Sequence, residues 1–106
     1  MLPAVEEARR AVGEIAKAML AGTTPFLTGA REIVARRSLA RLDDDEDMLA
    51  FVAIDSETDA LPLGPVREHW NTDALRRLES EIARAESWAR KVGGEECRNL
   101  ARRFAP

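Results

Sequence analysis

The N-terminal segment carries apolar side chains at steps of three and four positions. Its apolar residues are Val5, Ala8, Val12, Ile15, Ala16, Met19 and Leu20. Because a helix turns about every 3.6 residues, this spacing places them on one face. Pro3 suits a first helical turn, and Gly22 suits a C-terminal end. The pattern predicts a helix over residues 3–21.

A second helical pattern follows after a connection of only a few residues. Thr24 supplies an N-cap hydroxyl, and Pro25 suits the first helical position. The apolar stripe consists of Phe26, Ala30, Ile33, Val34, Leu39 and Leu42. We expect a helix over 25–41, antiparallel to the first helix because the connection is short.

The third pattern begins in a run of aspartates, which are good N-caps but poor helix-interior residues. Met48, Phe51 and Val52 then fit a short helix over 45–56. A strand is the alternative, because apolar residues also alternate here. Both faces of that strand would be apolar, which requires a sheet, and no other segment supplies partner strands. The helix is favoured.

The C-terminal part begins with a stiff connector, ETDALPLGP, over 57–65. A short helix is predicted over 66–70 and a long one over 72–104. Two glycines in a helix interior cost about 2 kcal/mol relative to alanine, so we expect an irregularity at Gly93–Gly94. The four patterns and the short helix together predict an all-α fold, a small antiparallel helical bundle that forms a single domain over 1–106.

The composition is that of a soluble globular protein. Of 106 residues, 45% are hydrophobic and 33% are charged, so one apolar core is feasible without disulfides or metals. The single cysteine, Cys97, cannot form an intramolecular disulfide, which fits a reducing cytoplasm. The sequence has neither the features of a secretory signal nor a membrane-spanning stretch. We therefore expect a cytoplasmic protein with no membrane partner.

The segment 43–59, DDDEDMLAFVAIDSETD, holds eight of the nineteen acidic residues and no Lys or Arg. The rest of the chain has eleven acids against sixteen bases, a balance of +5. Charge of this size can orient a partner but is small for a nucleic-acid binder. The five aromatic residues fall on stripes typical of a core. Nucleic-acid binding is disfavoured, because platforms for stacking bases are missing.

Alternating carboxylates at the end of this segment suggest an ion site. Asp55, Glu57 and Asp59 have the spacing of the first three ligands of a calcium loop. Ala60 stands where that loop requires glycine, and Val66 stands where it requires the closing glutamate. The chain has one histidine and one cysteine, too few for zinc. The alternative function is a carboxylate-rich metal-binding protein or a metal-assisted hydrolase. Its ligands would be Asp55, Glu57, Asp59 and His69.

Other catalytic constellations are missing from the sequence. No glycine-rich phosphate loop is present, and the serines have no histidine at a recognisable spacing. Cys97 falls on an apolar stripe, where a small buried thiol is the usual case. We therefore assign no catalytic residue, expect no cofactor and disfavour an enzyme.

Trp70 and Trp88 allow two interpretations. Trp88 follows Ala85 by three positions and precedes Val92 by four, a spacing typical of a core residue. Trp70 ends the connector and would pin it to the bundle. Either could instead be an anchor left for a partner, because Trp and Arg are common binding hot spots. The spacing favours the core.

One phrase of the sequence is distinctive. The stretch FVAIDSETDALPLGPVREHW (51–70), the acidic run before it and ECRNLARRF (96–104) resemble a group of short bacterial proteins of unknown function. The group shares an acidic run followed by F-V-x-I-x-S-E-T-D-x-L-P-x-G, then an Arg and a Trp. The resemblance implies that 55–70 is a structural or binding signature, and it implies no residue roles.

The missing catalytic groups and the acidic segment together favour a non-enzymatic protein-interaction module. One concrete form is an inhibitor or immunity-type protein that masks a basic partner. Self-association as a homodimer is a further possibility, because a chain this rich in alanine can leave apolar helix surface exposed. The candidate partner-binding residues are Asp43, Asp44, Asp45, Glu46, Asp47, Glu57, Asp59, Arg67 and Trp70.

Overall fold

The computed structural model describes residues 1–63 and 68–106, which fold into four α-helices. They are α1 (Pro3–Ala21), α2 (Phe26–Ala35), α3 (Glu46–Thr58) and α4 (Thr72–Phe104). No strand occurs within these described ranges, so the strand alternative for the third pattern is wrong. The predicted all-α helical bundle is confirmed, and α1 has the predicted bounds.

The long helix α4 is the element against which the other three pack. With a rise of about 1.5 Å per residue, its 33 residues span about 50 Å, as long as the 48 Å long axis of the molecule. The buried residues of α4, from Ala89 to Leu100, all lie in its C-terminal half. No side chain between Thr72 and Trp88 is buried. The N-terminal half of α4 therefore retains exposed surface.

The core forms where α1, α2 and α3 meet the C-terminal half of α4. Phe26 of α2 and Phe51 of α3 lie with ring centroids 6.2 Å apart, and both side chains are fully buried. Such aromatic pairs contribute roughly 1 kcal/mol beyond their area burial. Other large core side chains come from all four helices: Val12, Met19, Leu27, Ile33, Met48, Ile54, Cys97 and Leu100.

The helix α4 runs without a break through Gly93 and Gly94, so the predicted irregularity is wrong. A packing constraint explains the glycine at position 93. A Cβ atom there would stand 2.8 Å from Ile54 Cδ1 and 3.5 Å from the Phe26 ring. The missing side chain lets α4 approach the aromatic core closely, which offsets the poor helix propensity of glycine.

The helix α2 ends at Ala35, six residues before the predicted end. Residues 36–41 form turns instead, and Arg41 adopts a positive φ of 56°. Ala40 and Leu42 are buried by these turns, but Leu39 is 60% exposed. The helical spacing placed Leu39 on the apolar stripe, and that assignment fails because the chain has left the helix.

The start of α2 is held by a distant residue. Thr24 was the predicted N-cap, but the helix begins at Phe26 with no side-chain cap from its own segment. The carboxylate of Glu86 in α4 accepts hydrogen bonds from the backbone N–H groups of Phe26, at 2.9 Å, and Leu27, at 3.1 Å. A negative charge at a helix N-terminus is favourable, so this contact stabilises both α2 and its docking on α4.

The remaining bounds differ modestly from prediction. The helix α3 continues to Thr58, two residues beyond its predicted end. Of the short helix predicted over 66–70, residues 66 and 67 lie outside the described residues, while Glu68 and His69 adopt a 3₁₀ conformation. Among the helices of the described chain, none has both the length and the apolarity needed to cross a bilayer.

Candidate functional site

The acidic run begins α3, and its carboxylates are held by the far end of α4. Asp45 is the N-cap of α3 and accepts a hydrogen bond of 3.0 Å from the Asp47 backbone N–H. Arg103 donates to both Asp45 oxygens, at 2.9 and 2.7 Å, and to Asp47 Oδ2 at 2.8 Å. Asn99 donates to the other Asp47 oxygen at 2.9 Å. Asp45 and Asp47 are therefore part of the bundle's own architecture.

This arrangement has clear electrostatic consequences. The hydrogen bond from Arg103 is the main cause that lowers the pKa of Asp45, and burial opposes it. The same hydrogen bond raises the pKa of Arg103, because it stabilises the charged guanidinium. Asp45 and Asp47, two of the candidate partner-binding residues, are thus paired within the protein itself. A partner would have to displace Arg103 to reach them.

The other three carboxylates of the run are more accessible. Asp43 accepts a hydrogen bond of 2.9 Å from Ser38 Oγ and lies 3.9 Å from Arg37 Nε, and about half of its side chain is exposed. Asp44 and Glu46 are exposed. These three candidate residues stand at the solvent side of the α3 N-terminus.

At the opposite end of α3, Arg31 of α2 organises the backbone. Its guanidinium donates to Asp55 Oδ1 at 3.3 Å and to the carbonyl oxygens of Thr58, at 2.6 Å, and Leu61, at 3.3 Å. A cation is favourable at a helix C-terminus, where carbonyl groups lack partners. Arg31 thus fixes the turn that leaves α3 and holds Leu61 in place.

The residues of the metal alternative do not converge. Asp55 is bound to Arg31, and Glu57, Asp59 and His69 are exposed. No group of three or more His, Cys, Asp or Glu side chains in the described part of the chain is placed to hold an ion. The geometry gives the metal-dependent function no support.

Cys97 is no candidate nucleophile. Its side chain is fully buried, and Sγ donates to the Ala16 carbonyl oxygen at 3.3 Å. Burial raises the pKa of the thiol to about 11, so the reactive thiolate is scarce near neutral pH. The predicted burial of this thiol is confirmed.

A groove lies between the C-terminal end of α3 and the middle of α4. We call it the α3–α4 groove; its volume is about 360 Å³. Its apolar wall is built from Leu61, Ala85 and Trp88, and Glu57, Glu81 and Arg84 line its rim. No predicted metal ligand except Glu57 takes part in it. Because Arg31 holds Leu61 and Glu86 anchors α4, both walls are fixed by hydrogen bonds.

Both tryptophans are more exposed than predicted. Trp88 is 39% exposed in the wall of the α3–α4 groove, and Trp70 is 38% exposed just before α4. The core assignment is therefore wrong for each. Val92, one turn beyond Trp88, is also 39% exposed, because the covered face of α4 follows Ala89, Gly93 and Cys97, and Trp88 and Val92 lie beside that face. Arg67, another predicted partner contact, lies outside the described residues.

The organising residues Arg31, Glu86, Asn99 and Arg103 were not singled out from the sequence. Each acts on a group between 24 and 60 positions away. The chain contains sixteen Lys and Arg residues, many in pairs, and local spacing does not distinguish the ones that reach across the bundle. The absence of Lys and Arg from 43–59 indicates only that any cation paired with these carboxylates belongs to another part of the chain.

No family model, curated protein or solved structure matches this chain. The resemblance to short bacterial proteins of unknown function stays a prediction. The geometry and charge of this chain's own surface residues are therefore the basis for a functional proposal.

Proposed function

We propose that the protein is a non-enzymatic interaction module of the bacterial cytoplasm, and that its α3–α4 groove receives a basic and apolar segment of a partner protein. The observation that carries the proposal is the exposure of Trp88. A large aromatic side chain, 39% exposed, stands in the wall of a groove whose rim carries two glutamates and one arginine. Burying it against a partner would remove apolar area from water.

The apolar part of the argument concerns Trp88 and Leu61. Tryptophan is enriched among the residues that dominate binding energy, particularly in concave, desolvated positions. Leu61, partly buried, faces the same groove and is held there by Arg31. A preformed wall loses little conformational entropy when a partner binds. The groove therefore suits one or two apolar anchor side chains.

The charge part of the argument concerns the rim. Glu57 and Glu81 stand against one guanidinium, that of Arg84. Asp59 is exposed at the C-terminal end of α3, and Asp44 and Glu46 are exposed at its start. Accessible carboxylates thus stand at both ends of α3, beside the groove and at the opposite end of the helix, and would steer a basic partner and raise its association rate.

An inhibitor or immunity-type protein that covers a basic toxin or enzyme is one concrete form of this function. In that form the accessible carboxylates of 43–47 attract the partner, and Trp88 anchors it. The buried thiol of Cys97 suits a reducing cytoplasm.

The proposal can be tested with Trp88 as an intrinsic reporter. Replacing Trp70 by Phe leaves Trp88 as the only tryptophan. Titration with helical peptides that carry leucine anchors and flanking lysines should shift the Trp88 emission to shorter wavelength, because the indole becomes buried. We expect the shift to saturate and to weaken with added salt.

Matched variants locate the effect. Glu57→Gln and Glu81→Gln together should weaken binding by about tenfold at low salt, whereas Glu79→Gln with Glu95→Gln removes two exposed carboxylates outside the groove and should change little. Equal binding of glutamate-flanked peptides, or no emission change with any peptide, would refute the proposal. Sedimentation velocity separates the remaining possibility, a homodimer that covers Trp88 with a second copy.

A further inference from the structure

A second groove lies at the other end of α4, against the C-terminal part of α1. We call it the α1–α4 groove; its volume is about 530 Å³. Apolar and cationic residues line it: Leu20, Ala101 and Ala105, and Lys17, Arg98 and Arg102. Leu20 is 42% exposed, so the bundle leaves a substantial part of this apolar residue uncovered.

The cations of this groove lack carboxylate partners within the described chain. All four ion pairs found there end on aspartates of 43–59, and none includes a cation of the groove. Glu14 and Glu95, which precede Lys17 and Arg98 by three positions, are exposed and form no ion pair either. Arg102 donates a hydrogen bond to Asn99 Oδ1, but the three positive charges around the apolar floor form no ion pair within the described chain.

We propose that the α1–α4 groove docks an acidic amphipathic helix of a partner protein. The floor accepts an apolar side chain, and the cations accept carboxylates on either side of it. The described residues form no sheet edge to which an extended segment could add. The docking mode that fits is a helix in a groove, with apolar anchors spaced at i, i+3, i+4 and i+7.

This inference goes beyond the proposed function, because it concerns another surface and a partner of opposite charge. The α3–α4 groove has an acidic rim with an exposed tryptophan, whereas the α1–α4 groove has a cationic rim and aliphatic residues. With both surfaces, the protein would be able to hold two partners at once. The two grooves are tested with different peptides and different variants, so the proposal for one groove can be refuted while the proposal for the other is confirmed.

Two other occupants fit less well. A membrane-binding surface presents apolar side chains outward into the lipid, whereas here the apolar floor lies between cations in a recess. A second copy of this chain could offer the exposed face of α3, with Glu46 and Leu49. That contact would be head-to-tail and, unless it closed into a ring, would leave an open groove at one end of a growing chain and an open α3 face at the other. A separate acidic partner avoids this outcome.

Fluorescence anisotropy with labelled peptides tests the inference. The probes are helical peptides with leucines at i, i+3, i+4 and i+7, flanked by glutamates, and the same peptides with glutamine or lysine flanks. We expect salt-sensitive binding of the glutamate series only. The triple variant Lys17→Gln, Arg98→Gln, Arg102→Gln should bind about tenfold more weakly.

The matched control is the triple variant Arg10→Gln, Arg76→Gln, Arg77→Gln, which removes three exposed arginines outside the groove and should bind like the wild type. Circular dichroism checks that every variant folds. If the first triple variant does not fold, Leu20→Asp, a single change at an exposed position, takes its place and should also weaken binding.

Several results would overturn the inference. They are equal binding of the glutamine-flanked peptides, no binding of any glutamate-flanked peptide, and an equal loss in the control variant. Tighter binding to vesicles containing phosphatidylserine than to any peptide would assign the groove to an anionic membrane instead. Self-association that is lost in Leu20→Asp would assign it to a second copy.

Discussion

The guanidinium of Arg103 donates two hydrogen bonds, 2.9 and 2.7 Å long, to the carboxylate of Asp45, 58 positions earlier in the chain. Asp45 caps the start of α3, and Arg103 belongs to the last turn of α4. The pair therefore joins two helix ends and closes the bundle. It also determines which carboxylates of the acidic run are left for a partner.

Replacing Arg103 by Ala should destabilise the protein by about 1–2 kcal/mol. The estimate lies above the median for a surface ion pair because the contact is bidentate and shared with Asp47, but it is limited because Arg103 is 39% exposed. Urea unfolding followed by circular dichroism measures it. Arg77→Ala, at an exposed position of α4 without an ion pair, should cost less than about 0.5 kcal/mol.

The contribution of this pair should depend on pH with a defined sign. The pKa of Asp45 in the folded protein lies below its ordinary value of 3.8. The carboxylate therefore contributes its full stabilisation above pH 3.8 and loses it as the pH falls through the lowered pKa. The free-energy difference between wild type and Arg103→Ala should shrink in acid. An equal difference near neutral pH and well below 3.8 would contradict the role of the charge.

Two glycines should respond to alanine with opposite signs. A Cβ at Gly13 would stand 2.5 Å from the Phe104 carbonyl carbon and 2.6 Å from the Ala105 nitrogen, so α1 and α4 would have to separate. We expect Gly13→Ala to cost about 2 kcal/mol. At Gly94 the nearest atom is the flexible end of Arg98, 3.7 Å away, so Gly94→Ala should gain about 1 kcal/mol from helix propensity. Thermal unfolding of both variants checks the packing of α1 on α4.

Cys97 should resist labelling until the protein unfolds. The thiol is buried, and burial raises its pKa to about 11. Reaction with iodoacetamide near neutral pH should therefore follow the unfolded fraction along a urea titration. Because the folded pKa exceeds the ordinary value of 9.0, stability should also decline as the pH rises from 9.0 towards 11. Rapid labelling of the native protein would show that the α1–α4 contact is open.

Divalent cations should leave the melting temperature unchanged. Asp55 is bound to Arg31, and Glu57, Asp59 and His69 do not gather around a point. A specific ion present at a hundred times its dissociation constant would add about 2.7 kcal/mol to the stability. A thermal-shift scan with calcium, magnesium, manganese and zinc would reveal such a gain, and a rise with one ion alone would restore the metal-dependent alternative.

The sequence predicted helices well because apolar spacing is a local property. The helices predicted over 3–21 and 72–104 have the bounds of α1 and α4. The start of α4 is capped by Asn71, whose side-chain oxygen accepts hydrogen bonds from the Asp73 and Ala74 N–H groups. Apolar spacing does not show, however, which face of a helix the other helices cover. The spacing through Trp88 and Val92 remains helical although no neighbouring helix covers that face.

The candidate site was harder to predict than the fold. The acidic run was recognised, but its division into occupied and accessible carboxylates depends on Arg103, which the sequence does not distinguish from its neighbour Arg102. The groove beside Trp88 likewise depends on Arg31 reaching the end of α3. Such long-range pairs follow from the packing of the helices, which local patterns do not specify.

The most direct test of the proposed function is photo-crosslinking from position 88 in the host cell. A photoreactive phenylalanine analogue replaces Trp88, and a matched protein carries it at Ala83, an exposed position of α4 outside the groove. We predict a crosslink from position 88 alone, to a segment that mass spectrometry identifies as basic and apolar. Equal yields from positions 88 and 83, or a crosslinked segment that is acidic, would contradict the proposal that Trp88 is the anchor for a basic partner.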